Sequence, residues 1–325
     1  MKAIYRENYG TEEELKLTEV ENPEVKENEV LVKVIAASIN ASDVEFLTGS
    51  PFYTRMWGLF KPKIKVLGSD IAGYVESTGS NAVKFKPGDK VFGDIFDTWG
   101  GLAEYVSVNE SKLLVKPDFI SFEEAAAIPQ ASLVALQGLT AKINLQPGQK
   151  VLINGAGGGA GSFAIQIAKT FGTEVTGVDS AAKLDMIKDL GADNVIDYTN
   201  TDFTKIGERY DLILDLVAGH PIRNYKRTLA DDGTYLFVGG SLLQLLKTVI
   251  VSALMLVANK FMISKKKIGI LTHKPNKGME YILSMIESKK MKCVIDKVYK
   301  LNDIAEAMRH LMNGNAKGKI VININ

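Results

Sequence analysis

Residues 151–161 place an apolar strand directly before a glycine-rich turn, VLINGAGGGAG, and no other segment constrains the fold as strongly. A strand, a glycine turn and an amphipathic helix in this order are typical of a phosphate-binding unit, because glycines let the backbone approach the ligand. Ala156-x-Gly158-x-x-Gly161 comes nearest to the common dinucleotide fingerprint. We predict a dinucleotide diphosphate at Gly155, Ala156, Gly158, Gly159, Ala160 and Gly161. The alternative is an ordinary strand-to-helix turn.

Alternating strand and helix patterns around this turn predict an α/β fold. Helical stretches separate most of six strand-like segments, at residues 150–154, 174–178, 194–197, 211–216, 234–238 and 267–271. Such alternation predicts a doubly wound parallel sheet with its ligand at the carboxyl ends of the strands.

The two ends of the chain have a different pattern from the middle. Short strands between turns occupy the N-terminal part and predict a mainly β domain of barrel type, and residues 291–325 return to strand, helix and strand. A capping-box pattern at Ser121 and Glu124 begins the helical region. We therefore predict one domain from residues 1–119 and 291–325, and a second domain from residues 120–290.

Composition excludes several classes of partner. The net charge of +1 gives no general attraction for nucleic acid, and the single cysteine, Cys293, excludes an internal disulfide. The N-terminus has no signal-like apolar core, so a cytoplasmic location is expected. The apolar run 249–258 is shorter than the roughly 20 residues of a spanning helix, which predicts no transmembrane segment. We expect this run to form a buried or subunit-facing helix, and peripheral membrane contact is the alternative.

Short motifs over nearly the whole chain carry a resemblance to a known family. They include SINASD at 38–43, GSDIAG at 68–73, FKPGDKV at 85–91, GLAEY at 101–105, AIP at 127–129, GLTA at 138–141, LQPG at 145–148, LGAD at 190–193 and GKIV at 318–321. With the glycine turn, these motifs resemble the medium-chain dehydrogenase/reductase superfamily, and within it the zinc-independent quinone oxidoreductase-like branch. The resemblance implies a GroES-like catalytic domain made from both chain ends, a Rossmann domain and a homodimer.

The resemblance also implies an oxidoreductase that works without zinc. Zinc-dependent relatives have Cys and His where this chain has Asn40 and Ser69, so no Lewis acid would activate an alcohol. The implied reaction is hydride transfer from reduced nicotinamide to a quinone or an α,β-unsaturated carbonyl (an enone or alkenal). Two alternatives remain open: a non-catalytic nucleotide-binding sensor of the same fold, and a zinc-type alcohol dehydrogenase.

Four residues are predicted to take part in catalysis. The amide of Asn40 would donate to the substrate oxygen, although Asn also stabilises turns. Asp43 would fix the local loop or the cofactor ribose. Tyr53 belongs to the aromatic loop 52–60, which would either cap an apolar substrate, with Tyr53 as proton donor, or pack in the core. Thr140 would line the substrate pocket.

The choice of nicotinamide cofactor depends on the end of the second strand. Asp179 follows that strand about 20 residues beyond the glycines, where an acid favours the free ribose of NADH. The branch binds the 2′-phosphate of NADPH at positions that are Ser180, Lys183 and Tyr198 here, and Ala182 replaces a common Arg. We expect NADPH, with NADH as the alternative.

Four further residues are expected to contact the cofactor. Val217, Gly239 and Gly240 would approach its nicotinamide side, and Lys319 of the closing motif completes the predicted set.

Overall fold

The computed structural model describes residues 1–238, 248–249 and 265–324. The strands, in chain order, are β1 (Lys2–Tyr5), β2 (Lys16–Glu19), β3 (Glu29–Ile39), β4 (Asp70–Thr78), β5 (Lys90–Asp94), β6 (Tyr105–Asn109), β7 (Leu114–Val115), β8 (Lys150–Asn154), β9 (Glu174–Asp179), β10 (Asn194–Asp197), β11 (Tyr210–Asp215), β12 (Leu229–Phe237), β13 (Lys267–Ile270), β14 (Ile295–Lys300) and β15 (Lys319–Asn323). The α-helices are α1 (Ala41–Thr48), α2 (Phe122–Ala127), α3 (Pro129–Thr140), α4 (Gly159–Thr170), α5 (Leu184–Asp189), α6 (Ile222–Thr228), α7 (Met279–Glu287) and α8 (Ile304–Met312).

These elements form two compact units. The first unit contains residues 1–133, 274–287 and 293–325, and the second contains residues 134–273 and 288–292.

The first unit is organised around a mixed sheet in which strands from both parts of the chain meet. The sheet order is β14-β15-β3-β4-β5-β7, and β6 also pairs with β3. Strand β3 lies between β15 and β4 and is antiparallel to both. Val30, Val32 and Val34 alternate with more exposed residues, whereas every residue from Ala36 to Ile39 is buried. The carboxyl end of β3 is therefore surrounded by protein, and any polar group beside it needs a protein partner.

The second unit contains a six-stranded sheet of order β10-β9-β8-β11-β12-β13, with every pair parallel. This arrangement confirms the predicted doubly wound sheet. The strands read as continuous apolar runs because both faces are covered, and Val151, Leu152 and Ile153 of β8 are fully buried. The strand order reverses direction beside β8, where it passes to β9 on one side and β11 on the other. The carboxyl ends of β8 and β11 therefore flank the usual binding position of such a sheet.

The units divide the chain at positions that differ from the predicted boundaries. The capping box at Ser121 and Glu124 is confirmed, since Glu124 N donates to Ser121 Oγ at 3.1 Å and Ser121 N donates to Glu124 Oε2 at 2.8 Å. However, α2 packs against β3, β4 and β15, so it belongs to the first unit. Residues 274–287 also belong there, because the Asn276 amide bonds with the backbone of Asp94 and Lys112 at 2.9 Å.

The apolar run 249–258 lies outside the described residues, apart from Val249. Over residues 1–238, 248–249 and 265–324, none of the helices has the length and apolar character needed to cross a bilayer.

Candidate active site

The glycine turn joins the end of β8 to the start of α4. Gly155 has a φ of +89°, and a Cβ there would lie 2.9 Å from Val217 Cγ2. A Cβ at Gly161 would lie 2.1 Å from the Gly155 oxygen, so α4 packs directly on the turn. At Gly158 a Cβ would meet only the Gly155 oxygen, at 3.5 Å, and φ is −84°. Because packing does not require glycine at position 158, the open space there fits a closely approaching diphosphate.

The first turn of α4 provides donors for that diphosphate. The N–H groups of its first residues, from Gly159 to Gly161, have no partner within the helix, as at the start of any helix. The first N–H that is bonded within the helix belongs to Ser162 and donates to the Gly158 oxygen at 2.9 Å. The helix dipole adds partial positive charge at the same end. The residues present therefore fit the diphosphate of a dinucleotide cofactor.

Asp179, at the end of β9, is bonded to the glycine turn. Its Oδ2 accepts from Gly157 N at 2.8 Å, and its Oδ1 accepts from Ser180 N at 2.8 Å. Lys183 Nζ lies 3.4 Å from Oδ1, and both side chains are nearly buried. The Asp179 carboxylate is therefore engaged by the protein and its charge is offset by Lys183.

Lys183 and Tyr198 occupy different environments, although the resemblance gave them one role. A Cβ on Gly157 would lie 2.6 Å from Lys183 Cδ, so the lysine stem covers the turn. Lys183 is thus buried with Asp179 rather than projecting toward solvent. Tyr198 is exposed. Its backbone N–H donates to the backbone carbonyl oxygen of Asp179 at 3.2 Å, which holds Tyr198 at the same strand end as Ser180.

Asp215, at the carboxyl end of β11, was not anticipated from the sequence. The fully buried carboxylate accepts from Asn154 Nδ2 and Tyr235 Oη, both at 2.8 Å. It also accepts from Val217 N at 3.2 Å and Ala218 N at 2.8 Å, and Ala218 has a φ of +59°. Asp215 thus fixes the turn that carries Val217, a predicted cofactor contact. An acid at the end of an apolar strand was the available signal.

In the first unit, Asn40, Asp70 and Lys319 form a buried polar cluster at the end of β3. Sheet register brings them together, since Ser38 pairs with Asp70 and Ile39 pairs with Ile320. Asn40 Nδ2 donates to Asp70 Oδ2 at 2.9 Å. Lys319 Nζ donates to Asn40 Oδ1 and lies 3.5 Å from Asp70 Oδ2. These partners fix the orientation of the Asn40 amide, because a flipped amide would set its NH₂ group against the ammonium.

Further bonds hold the Asp70 carboxylate. Its Oδ1 accepts from Gln130 N at 3.0 Å, and its Oδ2 accepts from Ser38 Oγ at 3.2 Å. Gln130 Nε2 donates to Ser69 Oγ at 3.2 Å, and Gln130 Oε1 accepts from Ser42 Oγ at 2.7 Å. Burial raises the pKa of Asp70 to about 6, against the lowering effect of the Lys319 ammonium.

Asp43 fixes the start of α1, as one of its two predicted roles required. Its Oδ2 accepts from Asn40 N at 2.7 Å, and its Oδ1 accepts from Gly68 N at 2.9 Å. The side chain is fully buried, and burial raises the pKa of Asp43 to about 7. Asp43 positions Asn40 through the backbone.

The raised pKa values of Asp43 and Asp70 predict a pH-dependent stability. Both values lie above the ordinary 3.8, so between about pH 4 and 7 the folded protein binds more protons than the unfolded chain. The free energy of unfolding contributed by these groups is fully present below pH 4 and is lost as the pH rises through that window. We expect a lower urea midpoint at pH 8 than at pH 5.

Matched variants test this assignment. Asp43→Asn and Asp70→Asn should each reduce the difference between the two midpoints, whereas Glu13→Gln, at an exposed carboxylate, should leave it unchanged. If the midpoint difference between pH 5 and pH 8 is the same in the original protein and in all three variants, other groups cause the pH dependence.

Tyr53 lies in the 3₁₀ helix Phe52–Trp57, which follows α1. Its phenol donates to Glu45 Oε2 at 2.9 Å. Burial raises the pKa of Tyr53 above its ordinary value, and the Glu45 carboxylate raises it further. Because the phenol holds its proton more tightly than usual, this geometry argues against Tyr53 as the proton donor. Phe52 and Phe60 are exposed, so core packing of the aromatic loop is wrong for these two side chains.

Comparison with known proteins places this architecture in a family. The alcohol dehydrogenase GroES-like domain matches residues 26–118, and the zinc-binding dehydrogenase domain matches residues 190–322. A chloroplastic quinone-oxidoreductase homolog of Spinacia oleracea is 34% identical over 99% of this chain and 98% of its own length. This chain belongs to the medium-chain dehydrogenase/reductase family.

Other members of the medium-chain dehydrogenase/reductase family support the same assignment. The chloroplastic NADPH-dependent alkenal/one oxidoreductase of Arabidopsis thaliana is 31% identical over 99% of this chain and 79% of its own length. The solved quinone oxidoreductase of Coxiella burnetii is 30% identical and superposes with a TM-score of 0.88, covering 100% of this chain and 99% of that one. The predicted family and the predicted pairing of a GroES-like with a Rossmann domain are confirmed.

Two site predictions drawn from the medium-chain dehydrogenase/reductase resemblance need correction. Thr140 lines a cavity of about 900 Å³ with Asp211 and Lys267, at the amino ends of β11 and β13. The glycine turn is at the carboxyl ends, so Thr140 is at the wrong edge of the sheet for hydride transfer. Lys319 is only 2% exposed and is engaged by Asn40 and Asp70, so its ammonium is held within the polar cluster instead of being presented as the predicted cofactor contact. Gly239 and Gly240 lie outside the described residues.

The positions where zinc-dependent members of the medium-chain dehydrogenase/reductase family place Cys and His carry neutral groups here. Asn40 bonds with Asp70 and Lys319, and Ser69 bonds with Gln130. Within the described part of the chain, no three His, Cys, Asp or Glu side chains are grouped so that they could hold a metal ion. The side chains at these two positions are an amide and a hydroxyl.

Proposed function

We propose that this chain uses NAD(P)H to reduce a quinone or an α,β-unsaturated carbonyl by hydride transfer, without zinc. The observation that carries the proposal is the Asn40 amide, fixed between Asp70 and Lys319 where zinc-dependent relatives have a metal ligand. The relatives named quinone oxidoreductase and alkenal/one oxidoreductase support the same reaction.

The role of Asn40 follows from its hydrogen bonds. One N–H of Nδ2 donates to Asp70, and Oδ1 accepts from Lys319, which leaves the second N–H for a substrate oxygen. When bound, the reduced nicotinamide supplies the hydride. The fixed N–H then stabilises the negative charge that develops on the oxygen, and the adjacent Lys319 ammonium adds to that effect.

NADPH is the proposed cofactor. A free Asp179 carboxylate would bind ribose hydroxyls and repel a 2′-phosphate, but here one oxygen accepts from Gly157 N of the glycine turn, the other accepts from Ser180 N, and Lys183 offsets the charge. Ser180 and exposed Tyr198 lie at the same strand end. The relative named as NADPH-dependent agrees with this choice.

Replacing Lys183 with methionine tests the cofactor proposal. The variant keeps the apolar stem over the turn but leaves the Asp179 charge uncompensated, so NADPH should bind less well relative to NADH. We expect the ratio of kcat/KM for NADPH to that for NADH to fall about 10- to 100-fold, the range of one charge-assisted interaction. Lys169→Met is the matched control, because Lys169 pairs with Asp193 at 2.7 Å elsewhere on the same unit. An unchanged ratio in Lys183→Met would contradict the role given to the pair.

The activity itself is tested by following the loss of NADPH or NADH absorbance with a panel of quinones, enones and alkenals. Turnover of at least one class by metal-free protein is expected. Nucleotide binding with no turnover of any class would favour a non-catalytic sensor, and activity that requires added zinc would favour an alcohol dehydrogenase.

A homodimer and a cytoplasmic location complete the proposal. The cytoplasm is a reducing compartment, and a chain whose single cysteine, Cys293, cannot form an internal disulfide is consistent with it. Burial raises the pKa of the Cys293 thiol to about 12. Light scattering on a size-exclusion column tests the dimer, and fractionation of expressing cells tests the location.

A further inference from the structure

The chain displays an exposed apolar and basic surface after α1. Four large apolar side chains are open to solvent there: Phe52 is 56% exposed, Met56 80%, Leu59 51% and Phe60 87%. Lys61 and Lys63 are exposed beside them in sequence. We call these six residues the aromatic–basic face. Four large apolar side chains exposed within one short segment are unusual, and exposed apolar surface of this kind is typical of a site that a partner covers.

The backbone beneath this face is held by hydrogen bonds. Thr54 is buried and its Oγ1 donates to the Pro51 oxygen at 2.8 Å. Arg55 Nε donates to the Gly49 oxygen at 3.0 Å, and Tyr9 Oη donates to the Gly58 oxygen at 2.6 Å. These bonds hold the backbone of the segment, and Thr54 is the side chain that it turns inward.

A tight turn gives the second half of the face its shape. Gly58 has a φ of +129°, and a Cβ there would lie 2.1 Å from the Lys61 oxygen, so the chain folds back at this point. Leu59 and Phe60 lie between Gly58 and Lys61 and are exposed, whereas Pro62 is buried. Met56 and Phe60, the two most exposed side chains of the face, therefore flank a turn whose backbone is held by the bond from Tyr9.

The charge of this stretch is one-sided. Residues 46–69 contain Arg55, Lys61, Lys63 and Lys65 and no Asp or Glu, although the whole chain has a net charge of only +1. Of these cations, Lys65 pairs with Glu7 at 3.3 Å. Aromatic and aliphatic side chains surrounded by Lys and Arg are typical of surfaces that enter the headgroup region of a membrane while the cations bind lipid phosphates.

We propose that the aromatic–basic face binds the surface of an anionic lipid bilayer. A second copy of this chain fits less well, because pairing this face with itself would bring lysines of like charge together. A bilayer satisfies both components, since it offers apolar depth to Phe52, Met56 and Phe60 and negative charge to Lys61 and Lys63. The attachment is peripheral and reversible, and it does not depend on the proposed reaction.

Co-sedimentation of the full chain with lipid vesicles tests this proposal without cofactor or substrate. One set of vesicles is phosphatidylcholine alone, and the other contains equal amounts of phosphatidylcholine and phosphatidylglycerol. We expect binding to the anionic vesicles at least tenfold tighter than to the neutral ones, and weaker binding as salt is added. Met56→Gln with Phe60→Ser, and separately Lys61→Glu with Lys63→Glu, should each weaken anionic-vesicle binding about tenfold or more.

Matched controls separate this face from general surface effects. Val83→Ser removes a side chain that is as exposed as Phe60, and Lys267→Glu reverses an exposed charge in the run of three lysines at 265–267. Both controls should bind vesicles like the original protein. Equal binding to neutral and anionic vesicles, or face variants that bind unchanged, would overturn the proposal. So would a self-association that the Phe60→Ser change abolishes in sedimentation equilibrium, since that result would assign the face to a second copy.

Discussion

Replacing Asn40 with alanine is expected to lower kcat about 100-fold while the KM for NADPH changes little. The variant removes the N–H that we assign to the substrate oxygen, and loss of one such donor costs about 10²- to 10³-fold in kcat. The nucleotide-binding turn lies in the second unit and is not altered. Steady-state kinetics with the best quinone or enone, compared at equal folded protein by circular dichroism, measures the effect.

A structural role for Asn40 makes a different prediction. If the amide only stabilises the start of α1, Asn40→Ala should lower Tm and leave kcat of the folded protein near its original value. Asn109→Ala is a suitable control, because the Asn109 side chain caps a short 3₁₀ helix by accepting from Ser111 N at 3.0 Å. That variant should lose stability without losing kcat. If Asn40→Ala, like Asn109→Ala, lowers Tm and leaves kcat unchanged, Asn40 does not take part in the reaction.

Replacing Lys319 with methionine should cost about 3–5 kcal/mol in the free energy of unfolding at pH 8. The change leaves the fully buried Asp70 carboxylate without its cation, and breaking a buried pair from one side has this magnitude. The loss should be smaller at pH 5, because Asp70 can then take up a proton and become neutral. Urea unfolding at both pH values measures the difference.

Two further variants show how that result should be interpreted. Lys319→Met combined with Asp70→Asn should recover part of the stability, since both charges are then absent. Lys150→Met, at a surface pair with Glu208, should cost no more than about 1 kcal/mol. A small, pH-independent loss in Lys319→Met would mean that Lys319 and Asp70 are not coupled in the folded protein.

The sequence predicted the secondary structure and the sheet type well, because those depend on local patterns. Apolar runs such as 150–154 and 174–178 identified buried strands, and the glycine turn identified β8 as the first strand of the nucleotide unit. The capping box at Ser121 was also readable, since its two partners are three residues apart. The unit to which helix α2 belongs could not be predicted, because it depends on how α2 packs against β3, β4 and β15.

The polar cluster could not be derived from local patterns. Asp70 and Lys319 meet Asn40 only through the register of β4 and β15 against β3, and register is a long-range property. Thr140 was misplaced for a related reason, since a helix position alone does not reveal which edge of a sheet its end approaches. Lys183 was assigned to a ligand, whereas the structure shows that the neighbouring Asp179 is its partner.

The pairing of β3 with β15 has a consequence for how the protein matures. Asn40 and Lys319 are separated by 279 positions along the chain. A growing polypeptide on the ribosome therefore exposes the Asp70 carboxylate and five of the seven strands of this sheet long before Lys319, which offsets that charge, is translated. The nucleotide-binding unit can acquire its shape earlier, whereas the polar cluster at the end of β3 is complete only once β15 has been translated and has paired, so loss of that one strand would leave Asp70 buried without its cation.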